Sequence, residues 1–365
     1  MRPVAGLSAA LGIIAAGVLL NIAVDARQPA LPTRLSDGRI ALQRQDLQGP
    51  EAEAVRPYRR RDYFKYLAMA ERPFSGGLAR GSHHGWRFLT PLAVHFLPFP
   101  RETGFYLLAV VAMALSGFFL FLFLENVFGL KEPAHYGLVA FYAWALSSPV
   151  SLASRFYLEI TTLPFMILGL YAIDRRRYSL LAGVIAVGVL QRETVLLLGP
   201  VLLVREWAAG ERSGRRLVRL AAFFIGVPSA ILLIVHTLLP VPFDATAVIR
   251  RVWGLVYAPH LADLRLSSVG RFLMGPWGAP GLIAAALGAW PALRFLARRP
   301  HYALYIAAVY ASLIFGPLHR YVVHAAPVFL ACYLSALNAI VPDARLRAMV
   351  FTTLTGLQLA WTLAW

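Results

Sequence analysis

Residues 179–204 read SLLAGVIAVGVLQRETVLLLGPVLLV, an apolar run long enough to cross a bilayer, with Gln191-Arg192-Glu193-Thr194 at its midpoint. Charges at the centre of a bilayer cost several kcal/mol unless they face protein or water. A single crossing would also carry Arg205, Arg212, Arg215 and Arg216 to the side opposite Arg175-Arg176-Arg177, against the positive-inside bias of short loops. Both difficulties vanish if the run is two half-helices, about 179 to 190 and 194 to 204. Such a hairpin starts and ends on the cytoplasmic side and holds Arg192 and Glu193 at its tip. Its placement sets the direction of every segment around it.

Upstream, the pattern predicts helices over 104–128, 135–152 and 156–173; downstream, over 217–240, 271–293, 301–317, 321–341 and 346–364. With the hairpin in place, Lys131-Glu132-Pro133, Arg175-Arg176-Arg177, residues 294–299 and residues 343–347 all fall inside. Residues 241–270 and 316–320 fall outside. One topology therefore satisfies every short basic loop. The first run, residues 5–24, follows Arg2 and reads as a helix entering from the cytoplasm. A cleaved signal peptide competes through Val24-Asp25-Ala26, but the apolar region is long for one. Residues 25–103 then form an external loop with surface helices, residues 104–365 supply the remaining membrane helices, and the whole chain is one membrane domain.

Composition agrees. Hydrophobic residues make up 59% of 365 positions and charged residues 15%, far from the roughly 25% charged usage of soluble domains. Mean hydropathy is +0.62. Spanning segments must satisfy their backbone internally, and without barrel-like alternation that means an all-α, polytopic bundle. The net charge of +17 lies mainly in short loops, where it orients helices and meets anionic headgroups, so nucleic-acid binding is excluded as the reading of this charge. Cys332 stands alone, which rules out an intramolecular disulfide or a cysteine metal cluster.

Chemistry-bearing residues concentrate in residues 59–99. Tyr63, Tyr66, Leu67 and Ala70 recur at helical spacing and predict a short amphipathic helix on the membrane surface, opened by Asp62. Asp62 can serve as general base toward an acceptor, and it equally suits an N-cap. Glu159 is a second carboxylate at the outer end of the 156–173 helix, where Arg155 also offers an i,i+4 partner. Arg192 and Glu193 read either as a paired charge at the hairpin tip or as functional intramembrane charges. His83-His84-Gly85-Trp86-Arg87 and His319-Arg320-Tyr321, with His324, mark outer helix ends. Their aromatic residues fit an interfacial belt, and Arg87 and Arg320 fit phosphate oxygens as forked donors. No Walker loop, dinucleotide turn or nucleophile elbow is present.

The order of an N-terminal anchor, a loop with Asp62-Tyr63-x-x-Tyr66-x-x-x-Ala70, and then Arg87-Phe88-Leu89-Thr90-Pro91 resembles the GT-C superfamily. These are multi-pass glycosyltransferases that use polyprenyl-phosphate-linked sugars. Glu159 stands where members carry an acidic residue in the second external loop. Residues 181–200 are similar to the half-helix pair of aminoarabinose- and mannosyltransferase-like members, and Arg320-Tyr321 through Pro327 to their Arg-Tyr-Pro region. Tyr63 stands where many members have a second acidic residue, and the soluble domain of larger members is missing.

The resemblance implies a GT-C-type fold and the cytoplasmic membrane of a bacterium. It also implies transfer of a sugar from a polyprenyl-phosphate donor to an acceptor hydroxyl or amine on a glycan, lipid or protein at the outer face. Arg87, Arg192 and Arg320 would hold the donor phosphate, and Asp62 and Glu159 would be catalytic. Tyr63, Tyr66, His83, His84, Glu193, His319 and Tyr321 would line the substrate cavity. A divalent metal is compatible but not required. The alternatives are a transporter or flippase of a lipid-linked or anionic substrate, whose broken helices would look similar, and an inactive relative acting in assembly.

Overall fold

Helices form where the apolar runs lie. The computed structural model describes residues 2–27, 62–73, 87–145, 152, 158–238, 278–312 and 322–364. Among these residues the chain is all-α, with no strand. The elements are α1 (Arg2–Asp25), α2 (Asp62–Glu71), α3 (Leu89–Phe96), α4 (Arg101–Phe128), α5 (Lys131–Ala145), α6 (Leu158–Asp174) and α7 (Tyr178–Gln191). A 3-10 turn, Glu193–Leu197, leads into α8 (Leu198–Ala208). Then α9 (Gly214–Ala221), a π-helical turn (Ala222–Gly226) and α10 (Val227–Leu238) run on as one helix. The chain finishes with α11 (Gly278–Ala297), α12 (Pro300–Ser312), a 3-10 turn (Val322–Ala325), α13 (Ala326–Ile340) and α14 (Ala344–Ala364). Four helical stretches, Gly6–Asp25, Arg101–Phe128, Gly214–Val235 and Val323–Ile340, are long and apolar enough to cross a bilayer, which marks a multi-pass membrane protein.

The long central helix α4 shows why the elements start and stop where they do. Pro100, at φ −49°, sets the turn before it. Gly129 ends it at φ 66°, returning its N–H to the Glu125 carbonyl at 2.8 Å, a conformation that glycine adopts without steric cost. Its 28 residues extend about 42 Å, and α1, α5 and α6 pack around it. Tyr142 of α5 fills the junction of α1, α4 and α5. A Cβ on Gly17 or Gly117 would stand 2.2 Å from Tyr142 atoms, so both glycines admit the ring. Its hydroxyl donates to the Met113 carbonyl at 3.2 Å, which satisfies the buried phenol.

The alternating direction of the helices is visible in which ends meet. Arg299, beyond α11, donates to the Val127 carbonyl at the end of α4 at 3.1 Å. Asp174, closing α6, receives Tyr302 Oη and meets His301 Nε2 at 3.1 Å, both from the start of α12. Arg205 of α8 donates to the Asp174 carbonyl at 3.3 Å. A ring nitrogen of His135, early in α5, lies 2.9 Å from the Gly6 carbonyl of α1. The short basic connections thus gather at one end of the bundle, here termed the basic end, as the loop charges require.

At the other end, α2 buries Tyr66, Leu67 and Ala70, three of the four positions whose spacing marked the helix. That face packs against α3 and α4, and the Ala70 carbonyl lies 2.9 Å from His95 Nδ1. The expected runs 135–152 and 301–317 are described as helix over 131–145 and 300–312; residues 146–151 and 313–317 lie outside the described set.

Candidate functional site

The bend after α7 brings the polar residues together. Arg192 adopts extended backbone, φ −165° and ψ 136°, and its N–H closes α7 on the Gly188 carbonyl at 2.8 Å. The 3-10 turn then folds back, and a Cβ on Gly188 would stand 2.7 Å from Val195 Cγ1, so the turn needs glycine beneath it. The single extended residue at Arg192, between the end of α7 and the 3-10 turn, directs its side chain away from that of Glu193. Arg192 and Glu193 accordingly do not pair with each other as an isolated tip would.

Arg192 reaches the start of α6, where its Nη1 lies 2.9 Å from Glu159 Oε1 with the side chains 1% and 0% exposed. Glu193 turns the other way and takes a fork from Arg87: Nε donates to Oε2 at 2.9 Å, and Nη2 pairs with Oε1. Between them Gln191 is itself buried. Its Oε1 accepts from the Thr90 N–H at 3.2 Å and the Thr90 hydroxyl at 2.8 Å, while its Nε2 donates to Thr161 Oγ1 at 2.6 Å. Three consecutive residues therefore tie the segment before α3, the first turn of α6 and the α7–α8 bend into one polar cluster. The network is not saturated: Arg192 Nε and Nη1 are buried without a hydrogen bond of good geometry among the described residues, although Nη1 stands close to the Glu159 carboxylate.

His324, in the 3-10 turn before α13, completes the cluster. It is 1% exposed, lies within electrostatic reach of Arg192, Glu159, Glu193 and Arg87, and is anchored by the Tyr305 hydroxyl, which donates to its carbonyl at 2.6 Å. Its Nε2, like the Thr194 hydroxyl, is buried and makes no hydrogen bond within the described residues. Among the described residues the cluster holds two arginines and two glutamates, with Arg87 acting as a forked donor.

Of the residues expected at the site, Glu159, Arg192, Arg87 and Glu193 come together. Tyr66 is buried in α2, which packs on α3 beside the cluster. Asp62 and Tyr63 lie in the first turn of α2, but their side chains, together with His83, His84, His319, Arg320 and Tyr321, lie outside the described residues. Thr90, Gln191 and His324 stand in stretches that the sequence singles out but are not among the expected site residues, and Thr161 is not singled out at all. Gln191 carried a signal, a carboxamide at the end of an apolar run beside a charged pair. Thr161 carried none. Among the described residues no three His, Cys, Asp or Glu side chains gather as a metal site would require.

No family model, curated protein or solved structure matches this chain.

Proposed function

We propose that the chain is an integral-membrane glycosyltransferase of GT-C type. It would move a sugar from a polyprenyl-phosphate donor to an acceptor hydroxyl or amine at the outer face of a bacterial cytoplasmic membrane. The observation that carries this reading is the buried cluster of Arg87, Arg192, Glu159 and Glu193 at the bundle end opposite the basic loops. On this reading the donor's lipid-linked phosphate reaches the cluster from the outer leaflet, and arginine forks match its oxygens. Glu193, with its side chain 33% exposed, is the partner that a donor phosphate would displace from Arg87. Glu159, fully buried against Arg192, acts as a positioning residue rather than touching the acceptor.

Asp62 opens α2, and α2 rests on α3, whose second residue, Thr90, binds the cluster. On this reading Asp62 takes the proton from the acceptor while it attacks the anomeric carbon, and the lipid phosphate leaves with the bonding electrons. The leaving group is already a stabilised anion, so catalysis needs charge stabilisation and a positioned base more than a strong acid.

The test uses membranes containing the full chain and a radiolabelled polyprenyl-phosphate sugar. Asp62→Asn and Asp62→Ala should each reduce transfer by about 100-fold or more, with melting in detergent unchanged. Wild-type transfer by both folded variants would overturn the base assignment. Movement of the labelled lipid across sealed vesicles without sugar transfer would instead favour a flippase.

A further inference from the structure

The basic end carries a feature that the cluster does not involve. The segment Gly214–Ala221 reads GRRLVRLA, and with the π turn and α10 it forms a span of which little is covered by protein. Val218, Phe223, Val227, Leu233 and Ile234 are all about half exposed or more, which places this helix at the lipid-facing surface. Between it and the start of α7 lies an open groove of about 350 Å³. Ala182, Leu220, Phe223 and Phe224 supply apolar walls, and Arg216 and Arg219 stand at one end. The π turn begins at Ala222, immediately before the two phenylalanines. It sets their rings edge to face at 5.0 Å and 79°, with Phe224 buried in the core and Phe223 exposed. Such one-turn insertions change the direction in which side chains project.

The two cations differ: Arg216 is paired yet still open to solvent, 54% exposed with a single contact to Glu211 at 2.8 Å, and Arg219 is not engaged in an ion pair among the described residues. Ser179 adds a hydroxyl at the groove's edge. The combination is an apolar slot open to lipid, capped by cations at the level where the basic loops meet headgroups.

We propose that this groove is a binding site for an anionic phospholipid of the leaflet on the basic side. The headgroup phosphate lies against Arg216 and Arg219, and an acyl chain lies along Ala182, Leu220 and Phe223. Charge complementarity selects the headgroup, and the apolar walls require that the phosphate belong to a lipid. The site is separate from the cluster at the other end of α7 and does not depend on the function proposed for it.

The experiment is native mass spectrometry of the full chain in neutral detergent, titrated with dioleoyl phosphatidylglycerol or dioleoyl phosphatidylcholine. Phosphatidylglycerol should occupy one saturable site in preference to phosphatidylcholine. Arg216→Gln with Arg219→Gln should weaken phosphatidylglycerol binding about tenfold or more and leave phosphatidylcholine unchanged. Ala182→Trp, which fills the apolar wall, should weaken both lipids. Arg212→Gln with Arg215→Gln removes the same charge from outside the groove and should have little effect. Equal binding of the two lipids, an equal loss in the Arg212/Arg215 variant, or undiminished binding in Ala182→Trp would each overturn the site. So would full competition by millimolar inorganic phosphate, since a free anion would then suffice.

Discussion

Arg192–Glu159 and Arg176–Glu206 are both arginine–glutamate pairs in the same helical bundle, yet they live in different solvents. The first lies at 2.9 Å with both side chains essentially inaccessible. The second lies at 3.5 Å with the arginine 52% exposed and only its glutamate buried, at 3%, where Arg205 also holds it at 2.9 Å. At the basic end a guanidinium keeps much of its hydration, orients the chain and costs little. At the cluster both ions are stripped of water, and their attraction does not generally repay that loss against well-packed apolar residues. Stability alone therefore explains the basic end but not the buried pair, which makes the cluster the better place to look for chemistry.

The largest effect should come from removing one member of the buried pair. Glu159→Gln leaves the Arg192 guanidinium buried without its counter-ion and should cost about 3–5 kcal/mol, read as a drop in denaturation midpoint in detergent. The double variant Glu159→Leu with Arg192→Met should recover most of that stability while abolishing any ligand binding that depends on the arginine. If Glu159→Gln melts like the wild type, the contrast between the two ends collapses.

An intermediate effect is expected at the bend itself. Gly188→Ala puts a methyl group 2.7 Å from Val195 Cγ1, and valine cannot swing away without moving the turn. The cost should be about 1–3 kcal/mol, and Val195→Ala in the same chain should restore most of it. This pair sharpens the comparison, because it moves Arg192 and Glu193 without changing any charge.

The hairpin was legible because two independent constraints agreed on it: mid-membrane charges and the placement of the arginines that follow. What those charges bind was not legible. Neighbours in sequence suggest a pair, but the extended backbone at Arg192 sends it to Glu159 and sends Glu193 to Arg87, 106 residues away. No local pattern encodes that choice, since it depends on how α3, α6 and α7 pack. Helix starts were missed for a related reason. α4 begins at Arg101 and α9 at Gly214, three residues before the expected starts, because a first turn with arginines can lie in the headgroup layer where an apolar pattern does not extend. The buried face of α2 was readable from periodicity alone, since Tyr66, Leu67 and Ala70 need only a common side of one helix.

The smallest effect should be at the basic end, and its size is the control for the other two. Arg347 Nη2 reaches Glu132 Oε1 at 3.2 Å, with the arginine side chain 14% and the glutamate side chain 46% exposed, so solvent reaches the pair from the glutamate's side. Water and salt screen such a pair, and ordering two long side chains offsets much of the remaining attraction. Glu132→Gln should therefore cost under about 1 kcal/mol. The loss should shrink further from low to high salt, because only the electrostatic part responds to ionic strength. Glu159→Gln should show the opposite behaviour, a large loss nearly independent of salt, because mobile ions do not enter the cluster. A double-mutant cycle on each pair, run at both ionic strengths, separates the two cases. A Glu132–Arg347 coupling as large and salt-insensitive as that of Glu159–Arg192 would mean that the basic end is as dry as the cluster, and the argument that only one end holds charge for a purpose other than orientation would fail.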